Sequence, residues 1–386
     1  MKKVCFLTPR FSYPENGGDV VLLNDLMHWF KDQGYEVIQI TFYEKEQEKL
    51  LNRQHDYIDK LFPVKRNKFV SIKNSIMFYL KGLPLQCGYY YSKKMLNSLK
   101  QIIQNEQPDI YVCHLLRMIP YFDALNIKDN VIVQMSDVLS KTYGLASKSA
   151  GSPLKKLIYK FETKRMELYE RTVVRNYRKV VLVSKNDKDY FGLNKNVFYH
   201  NNGIRNIIHY DSVDENKIVY IGNMRTLQNL DGCLYFIREI FPLIQKQKSN
   251  VQLHVVGFAP EKIINKLNYK NVLITGYVES IEDYIKDAVV SVAPIRVASG
   301  IQNKVLISMA CNVPVVLSSL ISKGIPELKH GENCFIQDEP QKFASCCLEL
   351  INNQKERNLI TSNATKIIEE NYIWNIHLKG YDKFTH

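Results

Sequence analysis

The stretch Val292–Val316, VAPIRVASGIQNKVLISMACNVPVV, decides how this chain is read. The apolar run Val289–Pro294 predicts a buried strand, and Ala298-Ser299-Gly300 predicts a tight turn. The residues that follow predict a helix with Lys304 in its first turns, ending near Cys311-Asn312; Pro314–Leu317 reads as the next strand. A glycine turn between a strand's carboxyl end and a helix N-terminus gathers free N–H groups and the positive dipole end at one point. With Lys304 beside it, that point suits a phosphate, and a diphosphate better.

The same rhythm extends outward on both sides. Lys217–Ile221 reads as a strand closed by Gly222-Asn223, with a helix from about Leu230 to Gln245. Val251–Val256 with Gly257, and Val272–Ile274 with Gly276, are further strands ending in glycine. Ile281–Ala288 reads as a helix, Cys334–Ile336 as a strand, and Pro340–Asn352 and Lys355–Glu370 as helices. In the first half, Lys3–Leu7, Glu36–Thr41, Asp109–Cys113, Val131–Gln134 and Lys179–Val183 predict strands. Val20–Gln33 and Leu154–Tyr177 predict helices there, and Gly17-Gly18 lies where the first strand hands over to its helix. Strands alternating with helices in both halves predict an α/β chain of two Rossmann-like, doubly wound domains. The polar run Asn202–Glu215 marks the join. The expected domains are 1–205 and 206–372, with a tail, 373–386, packing back on the first.

Composition narrows the class. An apolar content of 45% with 24% charged residues is that of a globular protein, and 386 residues suit two domains better than one. No apolar run approaches the roughly 20 residues of a membrane span. MKKVCFLTPR breaks its apolar run at Pro9, too soon for a secretory signal, so a cytoplasmic chain is expected. The eight cysteines show no CxxC pair and no zinc spacing, and read as buried thiols. Charge is uneven: residues 1–210 hold 33 Lys and Arg against 20 Asp and Glu, whereas 211–386 hold 19 of each. Residues 141–188 hold thirteen basic against four acidic side chains, and residues 60–100 hold nine basic and none acidic. The latter are mixed with Phe62, Phe69, Phe78, Tyr79, Tyr89, Tyr90 and Tyr91. Cations among aromatics suit an anionic bilayer surface; nucleic acid competes on charge alone, and no nucleic-acid motif is present.

Several segments, in order, resemble the retaining glycosyltransferases of the GT-B fold, glycosyltransferase family 4 or "group 1". They are the Pro9…Gly17-Gly18 loop with GYEVIQIT at Gly34–Thr41, PDIYVCH at Pro108–His114, VVLVSKND at Val180–Asp187, and HNNGI at His200–Ile204. VYIGNM at Val219–Met224, LHVVGFAP, NVLITGYV and the opening stretch with its GIQNK continue the match. It is closest to the sugar transferases of capsule and exopolysaccharide gene sets. The resemblance implies two Rossmann-like domains facing across a cleft and a nucleotide-diphosphate sugar, UDP- or GDP-linked, as co-substrate. It implies no metal or other cofactor, and the chain offers no DxD motif. The acceptor would be lipid-linked or another glycan, with the enzyme peripheral at the inner face of the cell membrane.

The same resemblance distributes roles. Gly17, Gly18, Gly222, Arg225, Ser299, Gly300, Ile301 and Lys304 would meet the donor and its diphosphate. His114 would lie near the donor sugar as the candidate catalytic residue, and Tyr277 would run beside the base. The family carries two glutamates eight residues apart, for the donor sugar and the ribose; here Ser299 and Ile307 stand in those places. That departure leaves open a non-catalytic GT-B partner or nucleotide-binding protein. Another GT-B enzyme, such as a nucleotide-sugar epimerase, is the remaining alternative.

Overall fold

The computed structural model describes residues 1–386 apart from 14–17, 53–54, 150–151, 201–202, 211, 279, 297–301, 375–377 and 386. The chain divides into two units, Met1–Asn201 with Leu378–His386, and Asn202–His377.

The strands of the first unit are β1 (Lys3–Thr8), β2 (Glu36–Tyr43), β3 (Lys60–Lys65), β4 (Ile110–His114), β5 (Val131–Ser136), β6 (Lys179–Leu182) and β7 (Val197–Tyr199). They form one parallel sheet in the order β3-β2-β1-β4-β5-β6-β7. Its helices are α1 (Gly18–Asp32), α2 (Lys68–Leu80), α3 (Leu85–Tyr89), α4 (Lys93–Glu106), α5 (Ile119–Leu125), α6 (Leu139–Ser149), α7 (Pro153–Asn176) and α8 (Lys185–Tyr190). The central strands are buried along nearly their whole length. Continuous apolar runs of this kind belong to a parallel sheet covered on both faces. Pro63 sits in β3, an edge strand, where its missing N–H leaves no ladder bond unmade.

The second unit repeats the plan with β8 (Asp214–Ile221), β9 (Gln252–Val256), β10 (Val272–Gly276), β11 (Ala288–Ala293), β12 (Val315–Leu317) and β13 (Phe335–Ile336). The order is β10-β9-β8-β11-β12-β13, again parallel. Its helices are α9 (Leu227–Tyr235), α10 (Phe241–Gln247), α11 (Glu261–Ile264), α12 (Ile281–Ile285), α13 (Asn303–Ala310), α14 (Ser319–Ser322), α15 (Pro340–Asn352) and α16 (Gln354–Asn371). In each sheet the strand order reverses once, between β1 and β4 and between β8 and β11, where a doubly wound sheet binds its ligand.

Three differences from the sequence reading have physical causes. The single helix expected over Leu230–Gln245 is α9 and α10 joined by a π-turn at Phe236–Ile240. Pro242 cannot donate into the helical ladder, and a wider turn just before it absorbs the mismatch. The join falls at 201 rather than 205, because Ile204 pairs with the far end of its own unit. Its N–H donates to the Tyr372 carbonyl at 2.6 Å and its carbonyl accepts from Trp374 at 3.1 Å. For the same reason Ile373 and Trp374 stay with the second unit, and the segment packing on the first begins at Leu378. There the Tyr381 hydroxyl donates to Gln134 Oε1 at 2.6 Å, and Phe384 packs edge-on to Phe198.

Gly257 has φ +127, and a Cβ there would stand 2.4 Å from the Gly222 carbonyl oxygen. Gly257→Ala is therefore expected to destabilise the second unit by about 1–3 kcal/mol through backbone strain, with the steric clash adding to it. A urea transition of that unit moved to lower concentration checks this. Gly276→Ala, at φ +70 with nothing within 4 Å, should cost less.

Candidate functional site

In the second unit the chemistry gathers at the carboxyl ends of β8 and β11. After β8 the chain turns at Gly222, whose N–H donates to Val256 O at 2.9 Å, while Met224 N donates to Phe258 O at 2.8 Å. A Cβ at Gly222 would lie 2.8 Å from Cγ of Asn229, so only glycine lets α9 come this close. Asn229 is held at both ends. Its carbonyl accepts from the buried Tyr220 hydroxyl at 2.7 Å, and its Nδ2 donates to Asn223 O at 3.1 Å. Its Oδ1 then faces α13 and accepts from Lys304 Nζ at 2.5 Å.

α13 is fixed in turn by Ser308, whose Oγ donates to Ser291 Oγ of β11 at 2.8 Å. Lys304 Nζ also lies 5.3 Å from the centroid of the Tyr220 ring. Among the described residues no carboxylate pairs with Lys304, and burial pushes its pKa down to about 7. An ammonium enclosed by an amide oxygen and an aromatic face is short of negative charge. An anion at this point would restore it.

The other expected donor residues fall variously. Arg225 is exposed, its guanidinium 4.0 Å over the Phe258 ring and its N–H donating to Asn223 Oδ1. Tyr277 follows the end of β10 and is 56% exposed. Ile307 is half-buried against the apolar cluster that includes Val219, Ile221, Ile285 and Cys311, so this position is spent on packing α13. Ser299, Gly300, Ile301 and Gly17 lie outside the described residues. Gly18 opens α1.

The first unit has a polar cluster at its own reversal point. His114 ends β4 and is 1% exposed, and neither ring nitrogen has a hydrogen-bond partner among the described residues. Burial pulls its pKa down to about 4, opposed by Asp19 and helped by Arg117 and Arg10, so the ring is neutral. Arg10 pairs with Asp19 of α1. Two neighbouring strand ends break into positive φ on non-glycine residues, Leu115 at 70° and Ser136 at 66°. Such strain persists only where the surroundings impose it, and it concentrates at functional sites.

Asp137, the residue after β5, was not singled out from the sequence. Burial raises its carboxyl pKa to about 6, with Asp187 and Asp19 adding to the shift. An acid directly after the predicted strand Val131–Gln134 was the available signal. Beyond the ends of β1 and β2 the first unit also has a cavity of about 330 Å³. It is lined by Pro9, Arg10, Phe42, Tyr43, Glu44, Gln47, Arg66 and Tyr90. All eight cysteines are buried and free, and burial raises the Cys5 thiol to about 12. Among the described residues no group of three or more His, Cys, Asp or Glu is placed to hold a metal ion.

Two parallel α/β units with this strand order define the GT-B fold, and solved structures agree along the whole chain. Anabaena HepE in complex with UDP and glucose matches with a TM-score of 0.70 at 13% identity, covering 99% of each chain. WaaG, a glycosyltransferase involved in lipopolysaccharide biosynthesis, matches with a TM-score of 0.68 at 13% identity, covering 99% of each. Residues 215–353, within the second unit, match the family described as Glycosyl transferases group 1. An "Uncharacterized 44.6 kDa protein in cps region" of Klebsiella pneumoniae is 22% identical, over 96% of this chain and 97% of its own.

The depressed Lys304 gives a pH signature. A bound diphosphate favours the protonated amine, so above pH 7 binding must take up a proton. If Lys304 holds a diphosphate diester, whose phosphates do not titrate near neutrality, affinity for it should fall above pH 7 by up to about tenfold per unit. Calorimetry in buffers of different ionisation enthalpy reads the proton directly. Lys304→Ala should bind about tenfold more weakly or worse at pH 7, losing a charge-assisted contact, with a flat profile above it.

Proposed function

We propose that the protein is a retaining glycosyltransferase of family 4, in its capsule and exopolysaccharide branch. It moves a hexosyl group from a UDP- or GDP-sugar onto a lipid-linked or other glycan acceptor during surface polysaccharide assembly. The observation that carries this reading is the half-buried ammonium of Lys304, without a carboxylate partner among the described residues, at the strand-order reversal of a unit whose residues 215–353 match Glycosyl transferases group 1. The matched structures support it: HepE is in complex with UDP and glucose, and WaaG is involved in lipopolysaccharide biosynthesis.

In this reaction the bond from the anomeric carbon to the diphosphate oxygen breaks, and the acceptor oxygen bonds to that carbon and loses its proton. Negative charge grows on the departing nucleoside diphosphate. Lys304, with the backbone around Gly222 and the segment Ser299–Ile301, neutralises it; fixed charges aimed at developing charge are the largest common catalytic term. Arg225 is exposed and has no carboxylate partner among the described residues, so it is free to swing onto the same phosphates. Tyr277 lies against the base, and Gly17 and Gly18 let the backbone approach the donor.

In the first unit neutral His114 offers its unpartnered nitrogens to sugar hydroxyls. Asp137, titrating near 6, is the group there best able to receive the acceptor's proton at neutral pH. The aromatic and polar cavity at Tyr43, Glu44, Gln47 and Tyr90 suits a sugar ring of the acceptor. The basic composition of the first unit supports a peripheral position at the inner, anionic face of the membrane.

Two measurements test the reading. UDP or GDP should give a calorimetric binding isotherm with the folded chain, and NMR of the product should show the donor's anomeric configuration kept. Binding without turnover on any acceptor would favour the non-catalytic alternative that Ser299 and Ile307 keep open. His114→Leu should hold or raise the thermal midpoint, because an unsatisfied buried polar group is removed, yet lower turnover by roughly tenfold or more.

A further inference from the structure

α2 is amphipathic in the wrong sense for a helix on a water-facing surface. The side turned to the protein is polar apart from Phe78, which is buried in the core of the first unit. Ser71 is buried, Ser75 Oγ donates to the Ser71 carbonyl at 2.9 Å, and Asn74 Nδ2 donates to the Tyr91 carbonyl at 2.8 Å. Gly88 of α3 lies so close that a Cβ there would meet the Asn74 carbonyl at 2.4 Å. The apolar stripe faces out, with Phe69 86%, Ile72 55%, Ile76 56% and Leu80 79% exposed. Their spacing of 3, 4 and 4 residues places them along one face.

The stripe continues on α7. Arg165 of α7 lies 3.8 Å over the ring of Tyr79 of α2, which brings the two helices side by side. The first half of α7 exposes Leu154 67%, Leu157 51% and Phe161 50%, again on one face. Both stripes are set among exposed lysines, Lys68, Lys73 and Lys81 on or beside α2 and Lys155, Lys156 and Lys160 on α7. None of these six lysines forms an ion pair among the described residues, and residues 60–100 contain no acid at all.

We propose that the outward faces of α2 and the first half of α7 form a surface that inserts into the headgroup region of an anionic bilayer. It deepens the membrane placement given above by naming the side chains that make the contact. Apolar side chains ringed by unpaired cations match a layer whose hydrocarbon lies beneath negative headgroups. Lysine stems reach past the apolar stripe while their ammonium groups stay at headgroup level. A protein partner fits less well, since lysine is depleted from protein interfaces. At 13 residues α2 is about 20 Å long, so it lies in the interface rather than spanning it. Among the described residues no helix is long and apolar enough to cross a membrane.

The test uses the full chain with vesicles of phosphatidylcholine alone and of phosphatidylcholine with phosphatidylglycerol. Sedimentation should recover the protein with the anionic vesicles only, less so as salt rises. Removing one of the six lysines should weaken binding about fivefold. Ile72→Asp with Ile76→Asp should weaken it more than tenfold while thermal midpoint and UDP affinity stay unchanged. Retained UDP affinity in the same sample separates failure of this surface from failure of the glycosyltransferase reading. Phe69→Trp should show blue-shifted emission on anionic vesicles. Equal recovery with neutral vesicles, recovery with neither, or self-association of the chain that the two aspartates abolish would each overturn the proposal.

Discussion

The candidate site of the second unit is organised by one hydrogen bond, from Lys304 Nζ to Asn229 Oδ1 at 2.5 Å. It joins the helix after β11 to the helix after β8, the two strands between which the sheet order reverses. Both partners are fixed from behind, Asn229 by Tyr220 and the Asn223 carbonyl, Lys304 by the Ser308–Ser291 contact. Glycine at 222 and 257 lets the loops approach closely enough for this to form. The result is a positive group held in place before any ligand arrives, with its charge disfavoured by burial. Binding an anion there relieves a cost already present, which makes the site selective for negative charge.

The first unit stores its constraint in the backbone. Leu115 and Ser136 hold positive φ at adjacent strand ends, beside a buried histidine with no hydrogen-bond partner among the described residues. Each feature is unfavourable alone. They gather at the carboxyl ends of β4 and β5, where Asp19 and Arg10 act on His114 and Asp187 and Asp19 act on Asp137, which makes that end of the sheet the candidate for chemistry. α2 carries a third unfavourable feature, an apolar stripe turned to solvent. It lies at the surface, where an amphiphilic partner can cover it.

Much of the fold was legible because parallel strands buried on both faces leave uninterrupted apolar runs, as at Val4–Leu7 and Val289–Val292. Residues 60–100 were not legible in this way. β3 is a half-exposed edge strand containing a proline, and α2 turns its polar side inward, so neither shows the expected pattern. The aromatics there were read as one surface. Phe78 is in fact buried, and Tyr91 stacks on Tyr121 in the core, whereas aliphatic side chains make up most of the exposed stripe. Composition reports that cations and apolar groups are neighbours in sequence; only packing decides which of them face out.

By itself the sequence determined the two-unit α/β plan, the glycine-marked strand ends and a lysine, Lys304, near the start of the helix after β11. These follow from local spacing, which the chain carries before it folds. Tertiary structure alone decided that, among the described residues, Lys304 meets no carboxylate, Asn229 rather than an acid receives it, and His114 has no hydrogen-bond partner. It also decided that Ile307 is spent on packing and that Asp137 is a carboxyl titrating near 6. Burial and charge pairing are sums over residues far apart in the chain, so no local pattern encodes them.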